Sequence, residues 1–372
     1  MSSTEKFSYS ERIRVLIVDD SAVMRRIIMA TLLKHAEIEV VGTSANGLKA
    51  IEDIKRIKPD IVTMDIEMPE MDGLAALKEI RSFDRSLPII MFSSLTGRGS
   101  EATLDALTLG ATDYVAKPAN VSDSDAALRI LEESLIPKIK LLGAKRLRST
   151  GVMAAGAPAP ALPSMKVEPL VTAQNRGQVV ALDALCIGVS TGGPAALAQL
   201  FEAWKVPLSV PLLIVQHMPP KFPKLLAARL STLGANRAVE ASDGQEPKAG
   251  HAYLAPGGRH MEVHRNAAGK VTIRLTDNPP ECSCRPSVDV LFRSAAKVYG
   301  YRLLAMVLTG MGSDGLNGAG QIVREGGEVL AQDEGSSVIW GMPGAVVNAH
   351  LATKVLSLVD MADEIVARLS KR

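Results

Sequence analysis

Short apolar runs and longer stretches of helical period alternate through the first part of the chain. The runs are Arg14–Val18, Val40–Thr43, Ile61–Met64, Ile89–Phe92 and Tyr114–Ala116. Helical patterns at Ala22–Lys34, Gly47–Ile57, Leu74–Arg81, Ser100–Leu109 and Ala126–Leu142 separate and follow them. Runs that stay apolar instead of alternating are buried on both faces, which predicts a parallel sheet covered by helices. Five strand–helix units over residues 12–142 predict a flavodoxin-like doubly wound α/β domain, with its functional side chains at the carboxyl ends of the strands. From Gly143 the texture changes. Met153 to Leu170 is rich in Ala and Pro, so residues 143–178 are expected to be a semi-rigid linker. A second α/β pattern occupies 179–372, with apolar runs at Ala184–Val189, Leu212–Val215 and Leu303–Leu308. His260–His264 and Val271–Leu275 flank the turn Asn266–Gly269 and read as a β-hairpin, giving a second doubly wound α/β domain with a hairpin insertion.

Composition narrows the class of function. Of 372 residues 47% are apolar, so each half can bury a core of its own. Forty-two Lys and Arg against 40 Asp and Glu leave a net charge of +2, which gives no electrostatic case for a nucleic-acid partner. The basic residues Lys138, Lys140, Lys145, Arg146 and Arg148 read as a solvated helix end. No run reaches the ~20 apolar residues of a membrane span, and no signal segment precedes Arg14, so direct membrane insertion is not expected. Three cysteines do not make a disulfide framework, and a cytoplasmic location is expected.

Asp19 and Asp20 directly follow the first strand and Asp65 the third, so three carboxylates converge at neighbouring strand ends. Their repulsion is relieved by a hard cation, and Mg²⁺ suits such a set. The fourth strand ends in Ser93 and Ser94, the fifth in Lys117-Pro118. Singly, each aspartate reads as a solvated loop residue. Together, a carboxylate nucleophile, a metal, a hydroxyl and an ammonium make a phosphoryl-transfer site. Val18-Asp19-Asp20-Ser21, Met64-Asp65-Ile66-Glu67-Met68-Pro69, Ser93-Ser94 and Tyr114-Val115-Ala116-Lys117-Pro118 resemble the receiver domain of two-component response regulators. The resemblance implies that Asp65 accepts phosphate from a histidine kinase. It implies Mg²⁺ held by Asp19, Asp20, Asp65 and the Glu67 main-chain carbonyl. Ser93 would bind a phosphate oxygen, Lys117 would pair with the phosphate, and Tyr114 would be the switching aromatic.

The second half carries Gly188-Val189-Ser190-Thr191-Gly192, the G-x-S-x-G of a strand-to-helix elbow. Alone the motif is weak; the rival phosphate cradle lacks its lysine. Of six histidines, only His217 directly follows a strand-like run. His260 and His264 share a hairpin face, His35 and His350 lie on helical patterns, and His251 opens a short run. Asp314 is the only carboxylate in the loop after Leu303–Leu308. Its competitor Asp289 sits at a helix start, where N-terminal charge stabilisation accounts for it. The order Ser, His, Asp differs from that of α/β-hydrolases.

These stretches, with Arg285-Pro286-Ser287-Val288-Asp289-Val290-Leu291-Phe292 and Trp340-Gly341-Met342-Pro343-Gly344, resemble the catalytic domain of the chemotaxis protein-glutamate methylesterases. The resemblance implies Ser190 as nucleophile, His217 as general base and acid, and Asp314 as its orienting carboxylate. Main-chain donors at Thr191 and Met311 would serve the oxyanion. The implied substrates are methylated chemoreceptors, with glutamine deamidation as a second activity and no cofactor in this domain. Cys282-Ser283-Cys284 and Phe222-Pro223-Lys224 depart from the family pattern and are expected on the substrate rim. A zinc site of Cys282, Cys284, His260 and His264 is the rival reading of the cysteines. An esterase acting outside chemotaxis and a non-catalytic response regulator remain as alternatives.

Overall fold

The first set of apolar runs forms β1 (Ile13–Val18), β2 (Ile38–Ser44), β3 (Ile61–Asp65), β4 (Ile89–Ser93) and β5 (Asp113–Ala116). They pair in parallel in the order β2-β1-β3-β4-β5. The computed structural model describes residues 12–93, 97–117, 124–149 and 181–369, which fall in two compact units. In the first unit the central strands are buried along their length, as the unbroken apolar runs predict. Helices α1 (Ala22–Leu32), α2 (Gly47–Ile57) and α3 (Gly73–Phe83) begin on side-chain caps. Ser21, Asn46 and Asp72 accept from the N–H groups of Met24, Lys49 and Ala75, satisfying donors the helix leaves over. The unit is completed by α4 (Gly97–Thr108), α5 (Ser124–Ser134) and α6 (Ile136–Ser149).

Two expectations for this half are corrected. The single helix expected over 126–142 is two, because Pro137 has no N–H and its ring crowds the preceding turn, so a new helix starts beside it. The second of these runs on to Ser149, past the expected end at Leu142. Its basic residues are not simply solvated. Lys138 pairs with Asp113 at 2.7 Å, Lys140 with Glu37 at 2.6 Å and Arg146 with Asp84 at 2.8 Å, fastening α6 to the sheet and its loops. Ser94, Pro118 and the Ala/Pro-rich linker segment lie outside the described residues.

The second unit is a seven-stranded parallel sheet. Its elements are β6 (Ala184–Val189), α7 (Gly193–Ala203), β7 (Leu212–Gln216), α8 (Phe222–Leu233), β8 (Arg237–Glu240) and β9 (His251–Leu254). The hairpin β10 (His260–Arg265) and β11 (Val271–Thr276) follows, then α9 (Val288–Tyr299), β12 (Leu303–Val307), α10 (Leu316–Arg324) and β13 (Glu328–Gln332). The chain closes with α11 (Met342–Asn348), β14 (Lys354–Leu356) and α12 (Leu358–Leu369). The order is β14-β13-β12-β6-β7-β9-β8, so β6 lies between β12 and β7 and the winding reverses there. In open α/β sheets that reversal opens a crevice at the carboxyl ends of the strands. The hairpin pairs His260 with Thr276 through Arg265 with Val271. Met261, Val263 and Ile273 join Leu291, Phe292 and Ala295 in one buried apolar cluster, which seats the hairpin on α9.

Candidate functional site

In the first unit, Asp19, Asp20 and Asp65 bring carboxylate oxygens within 4.8 Å of one another at the ends of β1 and β3. Asp19 and Asp65 are buried and Asp20 is exposed. Lys117, at the end of β5, places Nζ 3.2 Å from Asp19 Oδ2 and 2.5 Å from Asp65 Oδ2. Both oxygens are buried. Burial raises the Asp65 carboxyl to about 6, against the pull of Lys117 and with a further push from Asp19. Burial likewise raises Asp19. An oxygen-only set in which Asp19 and Asp65 are held above their ordinary range is one that a hard divalent cation would relieve. Glu67 donates its N–H to Asp65 Oδ1 at 3.3 Å, and its side chain is exposed. Ser93 is buried at the end of β4, where it donates to the Gly99 carbonyl at 3.1 Å and accepts from Thr103 Oγ1. Tyr114 is half-buried on β5; its carbonyl accepts from Lys138 Nζ at 2.8 Å and burial pushes its phenol up.

In the second unit, β6 and β7 pair up to Val189 and Gln216, so Ser190 and His217 are the next residues on adjacent strands. The His217 N–H donates to the Val189 carbonyl at 3.2 Å, which carries the pairing up to the serine. The turn after Ser190 is specified by two glycines. Gly192 has φ +77, a left-handed conformation that disfavours a side chain. A Cβ on Gly193 would meet Gln216 Oε1 at 1.9 Å, so α7 starts close against β7. Gln216 Nε2 in turn donates to the Ser190 carbonyl at 2.9 Å and tethers the elbow.

Asp314 lies 2 % exposed in the loop between β12 and α10, with Oδ2 2.8 Å from His217 Nε2. Three further donors hold it: Ser287 Oγ at 2.8 Å, Val288 N at 2.7 Å and Asp289 N at 2.9 Å. Two of these are main-chain groups at the start of α9, where the helix dipole also favours negative charge. Burial would raise the carboxyl, but the bonds to His217 and α9 outweigh it and hold it below the ordinary range. His217 is the converse. Burial pulls its imidazole down, and Asp314 and Cys284 overcome that and raise it to about 9. Cys284 Sγ lies 3.6 Å from His217 Nδ1. Among the described residues no hydrogen bond joins Ser190 Oγ to His217. The Thr191 carbonyl accepts from Thr309 Oγ1 at 2.9 Å, and Met311 follows Gly310 beside Trp340. The main-chain N–H groups of Thr191 and Met311 have no acceptor among the described residues.

Several expectations are extended or corrected by this geometry. Asp289 stands in the first turn of α9, as expected, and its carboxylate also accepts from Gly318 N at 2.6 Å and Asn317 Nδ2 at 3.2 Å, capping α10 from outside. The four-residue zinc set is not assembled. His260 uses both ring nitrogens, on the Pro279 carbonyl and the Ser287 N–H, while His264 faces Thr272. Phe222 and Pro223 are buried at the start of α8, so of that trio only Lys224 is exposed. Ser287, Gln216 and Cys284 carry the site's contacts without having been singled out for them. Gln216 had a signal in the sequence, a polar residue ending a buried run.

Residues 185–365 match the CheB methylesterase family model, and residues 15–129 match the response regulator receiver domain. A Nocardioides sp. protein named protein-glutamate methylesterase/protein-glutamine glutaminase is 49% identical over 364 residues, covering 97% of this chain and 96% of its own. The chain belongs to the CheB methylesterase family. A protein of the same name from Trichodesmium erythraeum is 47% identical over 358 residues, covering 96% of this chain and 99% of its own. The second unit is similar to the Thermotoga maritima CheB methylesterase catalytic domain at 36% identity and TM-score 0.49, covering 50% of this chain and 99% of that one. With the family comes the pairing of a receiver and an esterase in one chain, in the order the two matched regions take here.

Proposed function

We propose that this chain is a phosphorylation-controlled methylesterase that hydrolyses glutamate γ-methyl esters on chemoreceptors and deamidates glutamines there. The observation that carries the reading is Ser190 and His217 side by side on adjacent strand ends, with Asp314 fixed on His217 Nε2. A carboxylate only accepts, so Nε2 keeps the proton and Nδ1 has the lone pair. The Ser190 hydroxyl gives its proton to Nδ1 as its oxygen adds to the ester carbonyl. The tetrahedral oxyanion is held by the N–H groups of Thr191 and Met311. The imidazolium returns the proton to the leaving methoxide, methanol departs, and water repeats the sequence on the acyl-enzyme. Ammonia replaces methanol for a glutamine side chain.

The receiver reading assigns the phospho-accepting domain to 12–142 with the rest of α6, and the esterase to 179 onward. Asp65 takes phosphate from a histidine kinase; Asp19, Asp20, Asp65 and the Glu67 carbonyl would hold Mg²⁺. Bound there, the ion would supply positive charge against the carboxylates and a phosphoryl group. Lys117 pairs with the phosphate, Ser93 donates to it, and Tyr114 follows Ser93. Among the described residues no helix is long and apolar enough to cross a membrane, and the proposed site of action is cytoplasmic. Methanol release from methylated receptor membranes tests the reading. Ser190→Ala should abolish it while the melting temperature stays put. Turnover in that variant, or hydrolysis of simple esters with none of receptor esters, would refute the mechanism or the substrate respectively.

A further inference from the structure

Cys284 stands on the one face of His217 that the proposed reaction needs. With Nε2 committed to Asp314, Nδ1 is the nitrogen left to act as base, and Cys284 Sγ lies 3.6 Å from it. The thiol is presented by a fixed turn. Glu281 and Cys284 exchange main-chain hydrogen bonds of 3.1 and 2.8 Å. Cys282 and Ser283, between them, take φ of 50 and 60, in the region that side chains disfavour. Arg293 on α9 grips Glu281 at 2.7 and 2.8 Å, so the turn is anchored to the helix that also holds Asp314.

We propose that Cys284 is a positioning residue for the esterase: its thiol caps the base nitrogen of His217 in the resting site and must yield it to Ser190 before turnover. The inference rests on the reading of His217 as general base. Either protonation form of the pair ties up the lone pair. A neutral thiol donates S–H to Nδ1, and a thiolate holds the imidazolium. The raised imidazole of His217 agrees with the thiolate form of the cap, because Asp314 and Cys284 overcome the burial that would lower it, whereas a neutral donor would lower it further. Among the described residues, Asp314 bonds Nε2 and Cys284 lies at Nδ1, and Cys282 and Asp289 bring ligand atoms within 4.8 Å of those of Asp314. Neither Asp289 nor Cys282 bonds a ring nitrogen, so removing the Cys284 thiol changes the partner of Nδ1 directly.

The test uses the full-length protein and the pH profile of methanol release. In Cys284→Ala the acid limb should move down by about 0.5–1 unit, raising kcat/KM at pH 7 about three- to tenfold. Cys284→Ser keeps a neutral donor that favours the unprotonated ring, so its limb should lie at or below that of Cys284→Ala. A second measurement keeps the test open if the Ala variant does not fold. Iodoacetamide forms an Sγ–C bond as the C–I bond breaks, iodide leaves, and the thiol proton goes to solvent. Labelled at Cys284, the wild type should lose activity in proportion to the label, because the adduct sits on Nδ1. Cys282→Ala should stay sensitive and Cys284→Ala should resist, with Cys186 silent because it is buried. Activity surviving in His217→Ala overturns the general-base reading and the inference with it. An unmoved limb in Cys284→Ala, or its equal inactivation by iodoacetamide, with His217→Ala inactive, overturns the inference alone.

Discussion

Two buried carboxylates, Asp314 and Asp65, show how partners decide the charge of a residue. Asp314 has four donors, each charge-assisted bond contributing about 1.5–3 kcal/mol, and together they outweigh a desolvation penalty of several kcal/mol. Asp65 has one ammonium, a long contact from Glu67 N and a second carboxylate nearby, and burial wins. The pH dependence follows. His217 is a base only when neutral, so as pH falls through about 9 the imidazole takes a proton and kcat/KM should drop about tenfold per unit. A stopped assay across pH 6–10 checks this; a profile flat below pH 9 contradicts it. Asp314→Asn puts an amide where Nε2 needs an acceptor and should cost about 10³–10⁴ in kcat with little change in KM. For Asp65 the sign is opposite to the usual carboxylate. Its folded value, about 6, lies above its ordinary 3.8, so its stabilising effect is complete below 3.8 and lost as pH rises through 6. A cation at the cluster removes that loss. Mg²⁺ should therefore raise the receiver's melting temperature more at pH 8 than at pH 5, and an equal rise at both would count against the site.

At the scale of elements, α9 and α10 are joined through Asp289 and Asp314. The start of α9 binds Asp314 from the loop before α10, and Asp289 of α9 binds Gly318 N of α10 in return. Asp289→Ala should leave that buried N–H without a partner and cost about 1–3 kcal/mol in urea unfolding. It should also lower activity, since the helix that orients Asp314 loosens; wild-type activity in a destabilised variant would separate the two effects. This exchange was not legible in the sequence, because the bonds join residues 25 to 29 apart and main-chain donors carry no residue signature. The catalytic candidates were legible for the opposite reason. Ser190 and His217 each follow a run buried at every position, and a polar residue at that point can only stand at a strand end. Short edge strands such as β14, with three partly exposed residues, carry no such run and were missed. The bonds from Asp289 to α10 are not legible in the sequence because a first-turn acid already has a role in its own helix. Only the packing of α10 shows the second helix it serves.

At the scale of the whole molecule, the two units each carry chemistry at strand carboxyl ends, and the proposed function requires phosphate at one to alter turnover at the other. Only a free-energy difference between two states can do that; a tenfold activation takes about 1.4 kcal/mol. The receiver holds a contact of that size ready to change. Ser93 bonds the Gly99 carbonyl and receives Thr103 Oγ1, so it ties the end of β4 to α4. Phosphate on Asp65 adds negative charge and acceptor oxygens beside Lys117. Drawing Ser93 to it gives up neutral hydrogen bonds of about 1 kcal/mol each, those to Gly99 and Thr103 among them, for a charge-assisted one of about twice that strength. Interactions of the phosphate with Lys117 add to that side of the exchange and favour release of α4. A small-molecule phosphodonor with Mg²⁺ should therefore raise methanol release severalfold in the full-length protein. Asp65→Asn should abolish both the phosphoryl label and the rise, while keeping basal turnover. Ser93→Ala should still be labelled but show a smaller rise, since the tie to α4 is already cut. Equal activation of Asp65→Asn would place the acceptor elsewhere, and full activation of Ser93→Ala would remove Ser93 from the path between phosphate and catalysis.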